Sequence, residues 1–198
     1  YKNYKKPETP KQLSIIFNYF CSFSIILLLI IVLFSKEILL ILISESFFSA
    51  HSLLIILTPA ILFSQMYIFI PGLTIAKKTM FILLISIFAA ILNITLNFIL
   101  IPKYGIWGAS ISTLISNVCS FVIYYYISNY YYPVRYDSTK IILNCLVIYL
   151  LANIILYIDL GFFVEITLKT ILILISISLI FITKLVNYKD FKNIKYFF

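Results

Sequence analysis

Six stretches of this chain are each long and apolar enough to cross a lipid bilayer as a helix. They run over residues 13–34, 52–73, 80–101, 106–128, 141–158 and 166–183. The hydrocarbon core of a bilayer asks for about 20 apolar residues per crossing helix, and only the fifth stretch falls slightly short. In 198 residues that leaves almost nothing for a soluble domain. Composition agrees. The chain is 63% hydrophobic and 11% charged, where a soluble domain has roughly 45–50% apolar and about 25% charged residues. The sequence therefore predicts an all-α integral membrane protein of about six transmembrane helices, forming a single transmembrane domain over residues 1–198.

Residues 36–48 are ambiguous. Lys36, Glu37 and Glu45 interrupt the apolar pattern, and the run between them is too short to cross. A short helix at the membrane surface is one reading. A first helix running long and tilted past Phe34 is the other. The connections are tight: residues 74–79 carry Lys77 and Lys78, and 102–105 form a turn in which Pro ends one helix and Gly opens the next. The longest inner loop, residues 129–140, contains Pro133.

Lys and Arg concentrate on cytoplasmic loops. With the first residues inside and the chain alternating through six spans, the inner side holds Lys2, Lys5, Lys6, Lys11, Lys77, Lys78, Arg135, Lys140, Lys184, Lys189, Lys192 and Lys195. The outer side holds only Lys36, Lys103 and Lys169. Both ends of the segment are thus predicted to be cytoplasmic. Inner loops beside anionic headgroups account for the net charge of +8 without any nucleic-acid partner. No charge is expected near the middle of a span, where one would mark an ion or proton path.

Most catalytic constellations cannot be written with these residues. His51 is the single His, and Gly72, Gly105, Gly108 and Gly161 are the only glycines. A zinc-protease helix, a P-loop and a dinucleotide fingerprint are all excluded. Cys21, Cys119 and Cys145 lie in apolar runs without a CxxC pair, so they read as small buried side chains rather than a disulfide or zinc site. No cofactor and no metal is expected, and the chain does not read as a free-standing enzyme.

The spans do carry amides and small residues. Asn93 and Asn97 are four apart, on one face of the third span. Asn18, Gln65, Asn117, Asn144 and Asn153 are further amides at membrane depth. An amide facing lipid leaves donors and acceptors unpaired, so these side chains are expected to face protein or water. Interhelical hydrogen bonding and the lining of a hydrated pathway both fit. In the fourth span Gly108, Ser112, Ser116 and Ser120 recur every four residues, flanked by Gly105, Ala109 and Thr113. Small residues at that spacing predict a close helix-packing face. Pro59 and Pro71 are candidate kinks in the second span. Tyr124–Tyr126 and Tyr130–Tyr132 read as an interfacial aromatic belt.

One stretch carries a specific likeness. Asn93-Ile-Thr-Leu-Asn97-Phe-Ile-Leu-Ile-Pro102-Lys-Tyr-Gly105-Ile-Trp-Gly108-Ala109-Ser-Ile-Ser-Thr113 resembles the signature of bacterial polysaccharide exporters of the Wzx O-antigen flippase type. That branch shares the MOP superfamily with multidrug exporters and the lipid II flippase. Tyr132-Pro-Val-Arg-Tyr-Asp137 is similar to the same branch. The resemblance implies the last six helices of a fourteen-helix, two-lobe transporter. The chain, which starts at Tyr1 rather than Met, would then begin inside a longer protein and have the missing N-terminal lobe as a partner. It further implies a bacterial inner-membrane location. The cargo would be a lipid-linked oligosaccharide, carried on undecaprenyl diphosphate and moved across the bilayer by alternating access. A diphosphate calls for Lys or Arg in the pathway, and the spans offer none at mid-depth, which implies a cation elsewhere in such a transporter. A drug or metabolite exporter of the same superfamily, a membrane enzyme of glycan assembly and a non-functional truncated fragment are the alternatives.

Overall fold

The computed structural model describes residues 6–35, 37, 38, 51–157 and 162–186, and all regular structure among them is helical. We label the helices α1 (Thr9–Leu33), α2 (His51–Gln65), α3 (Gly72–Ile75), α4 (Thr79–Tyr104), α5 (Ile106–Tyr131), α6 (Ser138–Tyr157) and α7 (Phe162–Ile182). Five segments are long and apolar enough to cross a membrane: Thr9–Leu33, Leu53–Ile75, Thr79–Tyr104, Ile106–Tyr131 and Phe163–Ile182. The second of these takes in α2, a 3-10 turn at Met66–Phe69 and the one-turn α3. Helix α6 is a sixth apolar helix of 20 residues. The fold is that of a polytopic α-helical membrane protein.

Helical hydrogen bonding continues past α1, from the Phe34 amide to the Ile30 carbonyl and from the Ile38 amide to the Phe34 carbonyl. Helical hydrogen bonding among the described residues therefore reaches Ile38. The remainder of the 36–48 segment and the Asn153 side chain lie outside the described residues.

The chain divides into two compact units. The first contains α2 to α5. Its tightest element is the α4–α5 hairpin, turned by one residue. Helix α4 runs through Pro102 to Tyr104, a turn beyond the expected stop, and Gly105 follows with φ 57° and ψ −131°. That backbone conformation is essentially open to glycine alone. No atom lies within 4 Å of a Cβ placed there. Gly105 thus makes the turn and does not join the packing face expected of it.

The packing face begins at Gly108. A Cβ there would sit 2.4 Å from the Leu100 carbonyl oxygen of α4, so the two backbones meet where the side chain is missing. Gly108, Ser112, Ser116, Ser120, Tyr124 and Ser128 then follow along one buried side of α5. Ser112 and Ser116 return their hydroxyls to the carbonyls of Gly108 and Ser112, four residues back, at 2.7 Å each. This hides each hydroxyl while keeping the face narrow. Tyr124 belongs to this buried line, its ring edge-on to Tyr67 at 4.7 Å, whereas Tyr126 and Tyr130 are exposed as a belt would be. The tyrosine run is thus split by helical periodicity.

The second unit contains α1, α6 and α7. Its core is large and apolar: Ile25, Leu29 and Leu33 of α1 meet Ile148 of α6 and Leu172 of α7. At one end, Asn144 of α6 donates 3.0 Å to Thr183 just past α7. The segment entering α6 is strapped to α1 by three contacts. Ser14 donates to the Arg135 carbonyl at 2.6 Å, Asn18 to Asp137 at 3.3 Å, and the Phe17 and Tyr136 rings pack edge-on at 4.7 Å. The flanks of α4, α6 and α7 expose Ile, Leu, Phe and Val, a surface that suits hydrocarbon and not water.

Candidate functional site

The hairpin brings the two halves of the Asn93–Thr113 motif together. Asn97 donates its amide to the Asn93 side-chain oxygen at 3.0 Å, and Asn93 reaches Thr113 of α5 at 3.5 Å, the outer limit of a hydrogen bond. Thr113 passes its own hydroxyl proton to the Ala109 carbonyl at 2.9 Å. The donors thus run in one direction, from α4 into α5. The acceptor at the open end, Asn97 Oδ1, is buried and has no hydrogen-bond partner. A buried acceptor left alone costs about 1–3 kcal/mol, so the cluster has capacity for one more donor.

The other two amides singled out from the sequence go elsewhere. Asn117 donates 2.9 Å to the Ala60 carbonyl and ties α5 to α2 one residue past Pro59. Gln65 is exposed at the end of α2, where its amide makes a long 3.4 Å contact with its neighbour Ser64. The four candidate cavity residues therefore form a pair and two separate contacts.

Helix α2 runs through Pro59. The second span breaks further along, between Met66 and Pro71. Pro71 has no amide to give the Tyr67 carbonyl, and the Ile70 amide takes that place at 3.0 Å. Ser128 of α5 bridges the break. Its hydroxyl donates to the Ile70 carbonyl at 2.9 Å and accepts from the Leu73 amide at 3.1 Å. Non-helical backbone at membrane depth is tolerated where neighbouring side chains satisfy it, and one serine satisfies both sides here. Gly72 makes the approach possible, since a Cβ on it would lie 1.9 Å from the Ser128 carbonyl oxygen.

The second unit holds a site that the charge tally misses. Lys169 is only 1% exposed. Its ammonium donates to Glu37 at 2.6 Å and pairs with Glu165 at 2.7 Å, with the Phe34 ring 5.4 Å away. The tally that sets Lys169 among the outer-side charges needs refinement at this point, although the residue still lies well short of the middle of the span. Helix α7 starts at Phe162, four residues before the apolar run, so Lys169 falls two turns inside it rather than at its edge. Glu165 and Lys169 are four apart on one helix face, and that spacing is the signal in the sequence. Glu37 comes from the helical extension past α1 and could not be paired with Lys169 from spacing.

Of the cysteines, Cys21 is buried, Cys119 half-buried and Cys145 exposed; all three are free thiols. Outside the spans, burial pushes the Tyr132 phenol above its usual range. Compared with protein-family models, with curated proteins and with solved structures, the chain matches none of them.

Proposed function

We propose that the chain is part of a membrane translocator that moves a lipid-linked oligosaccharide from the inner to the outer leaflet, in the manner of the polysaccharide exporters its motif resembles. The observation that carries this reading is the Asn97–Asn93–Thr113 chain. A run of polar side chains crosses from one membrane-spanning helix to the next and ends in an acceptor with spare capacity. A polar sugar cannot cross hydrocarbon unaided, and a hydrated path lined by amides and hydroxyls is what such a cargo requires. The broken second span supports the reading as well, because interrupted helices recur where transporters bind and move. On this reading the segment lies in a bacterial inner membrane with both ends cytoplasmic, and a further lobe completes the cavity. The cation for the diphosphate belongs to that lobe, because Lys169 is already held by two carboxylates.

Deleting the gene tests the reading. The expected outcome is a build-up of lipid-linked oligosaccharide facing the cytoplasm and a loss of surface glycan. Normal export, in a strain without a second copy of the activity, contradicts it. Sensitivity to drugs or dyes with normal surface glycan would assign the chain instead to an exporter of small amphipathic molecules.

A further inference from the structure

Gln65 is the amide that the helices leave outside. Asn93 and Asn97 bond within the α4–α5 hairpin, and Asn117 ties α5 to α2. Gln65 stands at the middle of the second span, Leu53–Ile75, and is exposed. Exposed hydroxyls in the same unit have an escape that it lacks. Ser86 and Thr95 of α4 return theirs to the carbonyls four residues back, at 3.0 and 2.8 Å, and a hydroxyl hidden on its own helix can face lipid. A glutamine amide carries two N–H donors and a carbonyl acceptor. On α2 that amide meets the Ser64 hydroxyl at 3.4 Å, and Ser64 gives its own proton to the Ile61 carbonyl. Hydrocarbon offers nothing to satisfy the rest of the amide.

A second observation lies on the same side of the span. Ile61, Gln65 and Ile68 follow one another at spacings of four and three, and all three are exposed. Ile68 belongs to the 3-10 turn at Met66–Phe69, where the span departs from the α-helix. The buried residues of the break, Ile70 and Leu73, turn instead to Ser128 of α5. Irregular backbone at membrane depth is buried in protein or lines a water-filled cavity, and does not face lipid. Interrupted spans are also where transporters hold what they carry. The amide and the break thus each exclude lipid from this side, and water can satisfy both.

We propose that the side of the second span marked by Ile61, Gln65 and Ile68 lines a water-filled path through the membrane, and that Gln65 hydrogen-bonds the uncharged, hydroxyl-bearing part of the cargo. The amide both donates and accepts, as a sugar hydroxyl does. It is neutral, and the cations of the described α2–α5 unit lie away from its depth. Lys77 and Lys78 follow the end of the second span, and Lys103 is in the last turn of α4. Nothing at the level of Gln65 in this unit therefore favours a phosphate. The water-filled side rests on this geometry alone. The contact with a glycan rests on the translocator reading.

Thiol labelling tests the first part. The full-length protein, with Cys21, Cys119 and Cys145 replaced by alanine, is kept in membrane vesicles and exposed to a membrane-impermeant, water-soluble maleimide. The controls are Ile91→Cys and Leu174→Cys, exposed positions near the middle of α4 and α7. Gln65→Cys and Ile61→Cys are expected to react faster than the controls by about tenfold or more, because the reagent attacks the ionised thiol and that form needs water. Equal reaction of all four overturns the water-filled side and sets lipid or another helix against Gln65. Outward movement of lipid-linked oligosaccharide in complemented deletion cells tests the second part. Gln65→Leu is expected to lower it by about tenfold at normal protein level. Gln65→Lys, which would suit a phosphate, is expected to lower it as well. Unchanged movement in Gln65→Leu, or faster movement in Gln65→Lys, overturns the glycan contact. If deletion itself leaves surface glycan normal, the translocator reading fails and the glycan contact with it, while the labelling still decides whether water reaches Gln65.

Discussion

The two units solve the same problem by opposite means. Helices in lipid gain little from hydrophobic contact with each other, because the surrounding chains are as apolar as leucine. In the α2–α5 unit they meet by removing atoms. Gly108 and Gly72 let backbones touch, and serines fill the seam with hydroxyls that serve the backbone itself. In the α1, α6 and α7 unit they meet through bulk. Leucine and isoleucine side chains form the core, and a charged triad fixes the end of α1 against α7. One unit is held by the absence of side chains, the other by their presence. The first should therefore fail when atoms are added and the second when they are taken away.

Four substitutions break this comparison in order of size, read as unfolding free energy of the purified protein in mixed micelles. Lys169→Met should cost the most, about 3 kcal/mol, because it removes the fully buried ammonium that holds two half-buried carboxylates together. Gly72→Ala comes next. Its Cβ would meet the Ser128 carbonyl oxygen at 1.9 Å, and overpacking costs about 1–3 kcal/mol, more where backbone must part. Ser128→Ala should cost about 1–3 kcal/mol, since it leaves the Ile70 carbonyl and the Leu73 amide both unpaired. Gly105→Ala should cost about 1–2 kcal/mol through its positive φ alone. Its role as a turn residue is sharpened if that cost is the same for alanine and for a larger residue, because open space surrounds the position. Ser112→Ala is the control. Its hydroxyl bonds only its own helix, and a change within about 0.5 kcal/mol is expected.

Much of the first unit was legible in the sequence, because its rules are local. Apolar runs of fixed length mark the spans, and a four-residue period marks the small face of α5. Asn93 and Asn97 share a side for the same reason. What escaped was set by tertiary contact. Pro59 and Pro71 look alike in sequence, yet the break falls beside Pro71, where Ser128 is at hand to satisfy the freed groups. Tyr124 turns inward because Tyr67 and Phe121 wait there, while Tyr126, two residues on, faces out. Gly105 sits beside the small-residue stripe yet packs against nothing. The second unit hid its main feature almost completely. Lys169 stands so near the start of an apolar run that it reads as a flanking loop charge. Its second carboxylate comes from a residue 132 positions away, and no periodicity connects the two.

The measurement that bears most directly on the translocator reading is the leaflet distribution of lipid-linked oligosaccharide in deletion cells complemented with wild type or with Asn93→Leu/Asn97→Leu. The account predicts equal protein levels, with outward movement lower by about tenfold or more, which corresponds to the loss of roughly 1.4 kcal/mol at the rate-limiting step. Unchanged movement at normal protein level would contradict it, and would return the two amides to a purely structural role between α4 and α5.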